Sequence, residues 1–280
     1  MQGDTPIVVV FGPTASGKTT RAIEIARERG GEVISADSRQ VYQGFPVTTC
    51  RASDEEMRGI PHHLIGFLPI TQVYSAAHFK HDADRLIEEI RGRGRVPIVA
   101  GGTYFYLEAL LFEHSLPEVP ADHSLRSDLE KLSGEELHAR LAARDSRRAA
   151  ALHPNDRVRL IRALEILTQL PSVPARERGM LRYPVEWVLL SPHRDELRAR
   201  IETRVWERVD LLITEIAAAQ DRLTPELAER LGLDFSLTLA HLRGERSREE
   251  LAERLIARDW QYARRQRAWA RRIYRTVTSQ

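Results

Sequence analysis

One segment of the sequence, GPTASGKT at residues 12–19, has the residue types and spacing needed to hold a phosphate group. It fits the pattern G-x-x-x-x-G-K-S/T, follows a short apolar run and precedes a segment with helical spacing. In such a loop the glycines let backbone N–H groups face a phosphate, the lysine reaches the outer phosphate, and the last hydroxyl can hold Mg²⁺. The motif predicts a phosphate-binding loop (P-loop) built from Gly12, Pro13, Thr14, Ala15, Ser16, Gly17, Lys18 and Thr19, with Thr19 as the metal ligand. It does not indicate whether the phosphate is transferred, hydrolysed or released.

An acidic residue that could complete the site follows the second apolar run. A P-loop protein that hydrolyses NTP also needs an Asp at the end of a later strand, but the later run VPIVAGGT ends in Gly101, Gly102 and Thr103. An acid occurs instead at Asp37, which parallel strands would bring close to the P-loop as a catalytic base or a metal ligand. The alternative is that Asp37 and Ser38 only cap a turn.

Arginine is concentrated in three segments with helical spacing. Arg159 and Arg162 are three residues apart, and Arg200 and Arg204 are four apart, so each pair shares a helix face. Residues 258–275 contain seven Arg against one Asp. These clusters could contact phosphate or nucleic acid, or they could be solvated faces whose arginines pair with nearby acids.

The composition is that of a folded protein with one large domain or two modest ones. The chain has 280 residues, of which 42% are hydrophobic, and it contains no apolar run of membrane-spanning length. The N-terminus MQGDTP lacks the features of a signal peptide, so the cytoplasm is the expected location. Cys50 is the single cysteine, which excludes an internal disulfide and disfavours a cysteine zinc site.

Apolar runs alternate with helical spacing in the first hundred residues. Residues 7–11, 32–38 and 95–102 have the pattern of strands, and residues 19–29 and 74–94 have the pattern of helices. This βαβ alternation predicts an α/β fold with a P-loop-type parallel sheet flanked by helices, whose ligands bind beyond the carboxyl ends of the strands.

The pattern changes after residue 115. A proline-rich stretch is followed by helical patterns and loops up to residue 182, and PVEWVLLSP then restores a strand before further helices. The sequence therefore predicts a core of residues 1–115 and 183–280, interrupted by a small helical subdomain at residues 116–182.

Six motifs, in this order and spacing, resemble those of the tRNA dimethylallyltransferase (tRNA isopentenyltransferase) family. They are GPTASGKTT, ISADSRQVY, VYSAAHFKHDA, GGTYFYLEALL, HPNDRVRLIRALEIL and YARRQRAWARR. The resemblance implies transfer of a dimethylallyl group from its diphosphate to the exocyclic amine of the adenine just 3′ of the anticodon in tRNA. The P-loop would then hold a diphosphate leaving group, which explains why a hydrolytic Asp is missing.

The resemblance also implies a role for each matching residue. The backbone from Thr14 to Thr19, Lys18, Mg²⁺ held by Thr19, and Arg204 would neutralise the diphosphate, while Asp37 would accept the proton of the adenine amine. Gln40 would read the adenine edge, and Thr103 would act at the catalytic centre. The residues expected to contact tRNA are Asp37, Ser38, Arg39, Gln40, Thr103, Arg159, Arg162, Arg264 and Arg265. The expected partners are the anticodon loop of tRNA and dimethylallyl diphosphate, without a membrane, and the protein is expected to be a monomer.

Several positions depart from the family pattern. Thr48-Thr49-Cys50-Arg51-Ala52 stands where Gly-Thr-x-Lys-Pro is usual, Gly66 and His78 stand where Asp is usual, and Tyr104 replaces a common Gly. These departures concern efficiency and tRNA preference more than the reaction type. Three alternatives remain at this point: a P-loop kinase for a metabolite or nucleotide, an RNA-binding relative without catalysis, and a relative that prenylates free adenine nucleotides.

Overall fold

The strands of the described residues form one parallel sheet. The computed structural model describes residues 5–113, 117, 119–174 and 179–278, with side chains described up to residue 273. Five strands pair in the order β3-β2-β4-β1-β5, and every pairing is parallel. The strands are β1 (Ile7–Phe11), β2 (Gly31–Ser35), β3 (His62–His63), β4 (Val96–Gly101) and β5 (Val185–Leu189). The predicted parallel α/β fold is confirmed.

The central strands are buried because their residues are apolar on both faces. All five residues of β1 are at most 1% exposed, and β1 lies between β4 and β5, with Val9 opposite Val99 and Trp187. A sheet covered by helices on both faces selects such continuous apolar runs. Strand β3 was not predicted, because two histidines are too short and too polar to give a strand pattern.

The chain divides into two compact units, which we call the core unit and the insert unit. The core unit comprises Met1–Phe112 and Leu181–Gln280, and the insert unit comprises Glu113–Met180. The sequence-based boundaries were 115/116 and 182/183, and the first of these lies outside the described residues.

The core unit carries the sheet and the longer helices. Its helices are α1 (Lys18–Arg29), α2 (Asp54–Met57), α3 (Ala76–Gly92), α4 (Tyr104–Leu111), α9 (Arg194–Ala217), α10 (Pro225–Leu231), α11 (Leu233–Leu242) and α12 (Arg248–Thr278). Helices α9 and α12 pack through apolar side chains that include Val205, Val209 and Leu255, all fully buried. This packing positions the side chains of α9 and α12 that reach the P-loop.

The insert unit is helical and has its own apolar core. Its helices are α5 (His123–Glu130), α6 (Gly134–Arg144), α7 (Ser146–Ala150) and α8 (Arg157–Ile166). Leu137, Leu141 and Leu160 are fully buried in this core. Beside them the buried Glu165 carboxylate accepts two hydrogen bonds of 2.9 Å from Arg126 and another from Arg162.

No helix in the described part of the chain is long and apolar enough to cross a membrane.

Candidate active site

The P-loop ends in an uncapped helix N-terminus. Gly17 has φ 88° and Ala15 has φ 59°, so the loop turns through left-handed conformations immediately before α1. No side chain caps α1, and its first turn contains no acidic residue. The first N–H groups and the positive end of the helix dipole are therefore free to bind an anion.

Lys18 lies at the start of α1 with its ammonium folded back on the loop. Its Nζ donates a hydrogen bond of 2.7 Å to the carbonyl oxygen of Pro13. Burial lowers the pKa of Lys18 to about 8, the Asp37 carboxylate opposes this change, and the Arg204 guanidinium adds to it. The three charged groups that the sequence singled out at the centre of the site therefore lie within electrostatic reach of one another.

Arg204 reaches the P-loop from α9. Its Nη2 donates hydrogen bonds to Thr14 Oγ1 at 2.8 Å and to Asp259 Oδ2 at 2.9 Å. Its Nε is buried and has no hydrogen-bond partner among the described residues. Arg200, which shares the same helix, pairs instead with Glu196 at 2.6 Å, as the alternative sequence interpretation proposed for this residue.

Helix α12 supplies two polar side chains that the sequence analysis did not identify. Gln266 is 1% exposed, accepts a hydrogen bond of 2.7 Å from Thr14 N–H, and donates one of 2.9 Å to the Gly102 carbonyl. Tyr262 donates to the same carbonyl at 3.2 Å, and burial, with a smaller contribution from Asp37, raises the pKa of its hydroxyl to about 12. The Thr14 N–H is thus already satisfied, and the Ser16 N–H donates to the Pro13 carbonyl at 3.2 Å, which leaves the N–H groups of Ala15 and of residues 17–19 to face a ligand.

The signal that could have revealed Gln266 is its position in α12. It is a polar residue on the buried face of the helix, between Ala263 and Ala270, which are both buried. A buried amide on an otherwise apolar stripe needs partners for both its oxygen and its nitrogen.

Asp37 lies in the turn that follows β2. Its Oδ1 accepts hydrogen bonds from the N–H of Arg39 at 2.8 Å and from the N–H of Gln40 at 3.4 Å. The turn-capping interpretation therefore describes Oδ1 correctly. Since both bonds use Oδ1, the second oxygen remains for a role in chemistry.

Gly101 allows the Asp37 turn to lie against the end of β4, the strand between β2 and β1 in the sheet. A Cβ on Gly101 would lie 2.2 Å from the Ala36 carbonyl oxygen, so only glycine fits this approach. Thr103 follows β4 and joins this segment to the Asp37 turn. Its N–H donates a hydrogen bond to Ala36 O at 3.1 Å, and its Oγ1 accepts one from Ser38 N–H at 3.0 Å.

The Gln40 amide is engaged at both ends by protein groups. Its Oε1 accepts a hydrogen bond of 2.9 Å from Ser35 Oγ, and its Nε2 donates one of 3.1 Å to the Cys50 carbonyl. Arg39 extends the other way and donates to the Arg230 carbonyl at 3.3 Å. One lone pair of Oε1 and one hydrogen of Nε2 are not used by these bonds, and Gln40 would read an adenine edge through them.

The arginines near the C-terminus line an open groove. Arg264 and Arg265 are exposed on α12, and together with further arginines they border a groove of about 610 Å³ beside Trp260. The other arginines of the groove are Arg194, Arg267 and Arg271. None of the five forms an ion pair with a described residue, and the Arg194 guanidinium lies over the Trp260 ring at 5.8 Å. Unpaired arginines beside an aromatic ring are suited to a phosphate backbone.

Arg159 and Arg162 lie in the insert unit and have different surroundings. Arg159 pairs with Asp156 at 3.3 Å, and its side chain is 68% exposed, so it is accessible. Arg162 binds the buried Glu165 carboxylate and donates to the Val119 carbonyl at 2.8 Å. Arg162 therefore has a structural task in the insert unit in addition to the predicted contact with RNA.

A metal ion would have few protein ligands in this site. Among the described residues no group of three or more His, Cys, Asp or Glu side chains could hold one. The Thr19 hydroxyl is exposed on the first turn of α1. One hydroxyl beside a phosphate loop fits Mg²⁺, which keeps waters and binds phosphate oxygens with only one or two protein ligands.

Comparison with known proteins gives one family throughout. The model of the IPP transferase family matches residues 40–273. The chain is 44% identical to the tRNA dimethylallyltransferase of Anaeromyxobacter sp. (strain K), over 95% of this chain and 90% of that protein. It is 36% identical to the crystal structure of the full-length tRNA isopentenylpyrophosphate transferase of Bacillus halodurans, with a TM-score of 0.70, over 95% of this chain and 86% of that one. A eukaryotic dimethylallyltransferase, captured in crystallographic snapshots acting on tRNA, is 29% identical with a TM-score of 0.81, over 95% and 70% of the two chains.

Proposed function

This chain belongs to the tRNA dimethylallyltransferase family, and we propose that it transfers a dimethylallyl group from dimethylallyl diphosphate to the exocyclic amine of the adenine 3′-adjacent to the anticodon in tRNA. The observation that carries the proposal is that Lys18 and Arg204 both contact the P-loop, while Asp37 lies in the turn after β2, within electrostatic reach of Lys18. Two cations beside a P-loop can stabilise a diphosphate leaving group, and one carboxylate can accept the proton that the amine must lose.

The leaving group is stabilised by the P-loop and its cations. As the allylic C–O bond breaks, negative charge grows on the diphosphate, and the N–H groups of residues 17–19, the Lys18 ammonium and the Arg204 guanidinium are donors that can balance it. Each preorganised donor of this kind contributes on the order of 3 kcal/mol of transition-state stabilisation. Bound Mg²⁺, held by Thr19, would supply further positive charge to the diphosphate oxygens.

Asp37 serves as the base. The amine of adenine becomes acidic only as the new C–N bond forms, so an ordinary carboxylate suffices to take its proton. The two N–H groups that bind Oδ1 fix the orientation of the carboxylate and present Oδ2 to the substrate. Thr103 keeps the Asp37 turn in place through Ser38 N–H.

The tRNA is bound through positive surface and through the Asp37 turn. Arg264 and Arg265 contact its phosphates, Arg159 and Arg162 contribute from the insert unit, and residues 37–40 approach the base. A target adenine must leave the stack of its loop to reach the half-buried Asp37 carboxylate. We further propose that the protein acts as a monomer in the cytoplasm, which sedimentation and fractionation would test.

A P-loop kinase is not favoured. Family membership extends over the insert unit and the basic helix α12, which a kinase for a small metabolite leaves without a role. Transfer of labelled phosphate from ATP to a small acceptor would support the kinase, and its absence would support the prenyl transfer.

The proposal is tested by mass spectrometry of tRNA nucleosides. Unmodified tRNA is incubated with the protein, Mg²⁺ and dimethylallyl diphosphate, then digested to nucleosides. We expect adenosine with an added dimethylallyl group at the position after the anticodon. Modification of free adenine nucleotides but not of tRNA would instead identify a nucleotide prenyltransferase, and no product with either would refute the proposal.

The role of Asp37 is tested by Asp37→Asn, which is nearly isosteric. Asparagine retains the oxygen that caps the turn but cannot accept a proton, so the single-turnover rate should fall by roughly 10²-fold or more while both substrates still bind. A metal-ligand role would instead weaken diphosphate binding in a way that extra Mg²⁺ partly restores. A normal rate would remove Asp37 from the mechanism.

A further inference from the structure

Behind Arg204 lies a buried network of ion pairs that joins α9, α11 and α12. Asp259, on α12, is at its centre and is 3% exposed. Its carboxylate accepts hydrogen bonds from Arg204 at 2.9 Å and from Arg258 at 3.0 Å, and lies 3.7 Å from Arg208. Asp234, on α11, accepts from Arg208 at 3.3 Å and also from Arg258.

The charges of this network do not cancel. Three arginines share two carboxylates, which leaves one net positive charge. Arg258 and Arg208 each contact both carboxylates, whereas Arg204 contacts only Asp259 and extends to Thr14 in the P-loop. The uncompensated charge is therefore presented at the P-loop, and Asp259 is the group that ties Arg204 to the rest of the network.

The hydrogen bonds of Arg204 fix the orientation of its guanidinium. Both of its bonds, to Thr14 and to Asp259, use Nη2. Its Nε is buried without a partner among the described residues, and Nη1 is not used by either bond. Protein atoms cover Nε, so a ligand does not reach it. The anchored Nη2 thus leaves Nη1 for an anion.

We propose that Asp259 is a positioning residue for the transfer reaction: it holds the Arg204 guanidinium against the P-loop so that Nη1 meets the diphosphate as negative charge develops. This inference rests on the proposed function, because it needs Arg204 to act on the diphosphate. Asp259 itself repels the diphosphate, so its benefit lies in orientation and not in attraction. A fixed donor contributes most in the transition state, where no reorganisation is needed.

The test separates orientation from binding by means of Asp259→Asn. The single-turnover rate with saturating dimethylallyl diphosphate and tRNA should fall by about tenfold or more, because misplacement of a positioned group is costly. The dissociation constant for dimethylallyl diphosphate, measured without tRNA, should stay unchanged or become smaller, because one negative charge has been removed. A merely structural role predicts that binding and rate worsen together, and that result would overturn the proposal.

Two control variants account for helix packing and for the cost of a buried carboxylate. Asp210→Asn breaks an exposed ion pair with Arg248 at 2.6 Å between the same two helices, α9 and α12, and should keep the wild-type rate. Asp234→Asn removes the other buried carboxylate, which does not touch Arg204, and should lower thermal stability but not the rate of the folded protein. If Asp234→Asn slowed transfer as much as Asp259→Asn, the assignment to Asp259 would be wrong.

A double-mutant cycle with Arg204→Gln distinguishes this inference from the proposed function. If Asp259 acts through Arg204, Asp259→Asn should have little further effect on the rate once Arg204 is replaced. Additive effects would overturn the positioning role and leave the proposed function intact, whereas a normal rate for Arg204→Gln would overturn both the role of Arg204 and the inference. Should Asp259→Asn fail to fold, Asp259→Glu retains the charge but displaces the carboxylate, and the same cycle with Arg204→Gln applies.

Discussion

Replacing Gly101 by alanine should slow the transfer reaction by disturbing the approach between the Asp37 turn and the end of β4. The added Cβ would lie 2.2 Å from the carbonyl oxygen of Ala36 and 2.4 Å from its carbonyl carbon, where ordinary contact begins at 3.4 Å. Both obstacles are backbone atoms, so no side chain can rotate away. The two segments must therefore separate by about 1 Å.

The size of the effect follows from what these segments hold. Ala36 is hydrogen-bonded to Ala100 at 2.8 Å and to Thr103 at 3.1 Å, and Asp37 is the next residue. A shift of about 1 Å at a reacting group can reduce a rate by on the order of 10²-fold. Overpacking in a buried region also destabilises by about 1–3 kcal/mol. We expect Gly101→Ala to show both effects, with the larger one in the rate.

The assay measures the single-turnover rate of tRNA prenylation, thermal unfolding by circular dichroism, and binding of dimethylallyl diphosphate. Gly92→Ala is a matched control, since a Cβ there meets nothing within 4 Å and the residue lies in the last turn of α3. That variant should keep the wild-type rate and be as stable or more stable. If Gly101→Ala had the rate and melting temperature of the wild type, our account of how Asp37 is brought to the P-loop would be refuted.

Three further predictions concern the P-loop, the groove and the insert unit. Lys18→Ala should abolish transfer through loss of diphosphate stabilisation while tRNA binding persists, and near-normal turnover at saturating diphosphate would contradict the P-loop assignment. A triple variant with Gln in place of Arg264, Arg265 and Arg267 should bind tRNA more weakly and with a smaller dependence on salt, because fewer counterions are released on binding. An unchanged slope of log affinity against log salt concentration would show that these arginines only form a solvated helix face. Burial alone would raise the pKa of Glu165, but hydrogen bonds from Arg126 and Arg162 outweigh burial and lower the pKa to about 2. The ionised carboxylate therefore stabilises the protein at pH values above its ordinary pKa of 4.5, and this contribution is lost as the pH falls toward 2. Glu165→Gln should therefore cost about 3–5 kcal/mol near neutral pH and flatten the fall in stability between these two pH values, as measured by urea unfolding.

The features that the sequence predicted are those set by neighbouring residues along the chain. The apolar run at residues 7–11 specifies a buried strand, because each of its residues favours burial on either face. Gly17 and the uncapped start of α1 specify an anion site, since backbone conformation and helix dipole are local properties. The alternation of such segments was enough to predict the parallel sheet, and the motifs were enough to indicate the family.

The partners of the site residues were decided only by the tertiary structure. Strand order places β4 between β1 and β2, so that Gly101, which in the sequence marks only the end of an apolar run, becomes the point where two loops meet. Arg200 and Arg204 lie four residues apart and share a helix face, so the sequence does not distinguish them. In the structure Arg200 pairs with Glu196 on its own helix, whereas Arg204 reaches Thr14, 190 residues away. Gln266 reaches the same threonine from 252 residues away. Side-chain type and periodicity indicate which face of a helix is buried. Which side chains or backbone groups contact that face depends on how α9 and α12 pack against the sheet, and this packing is a property of the folded chain as a whole.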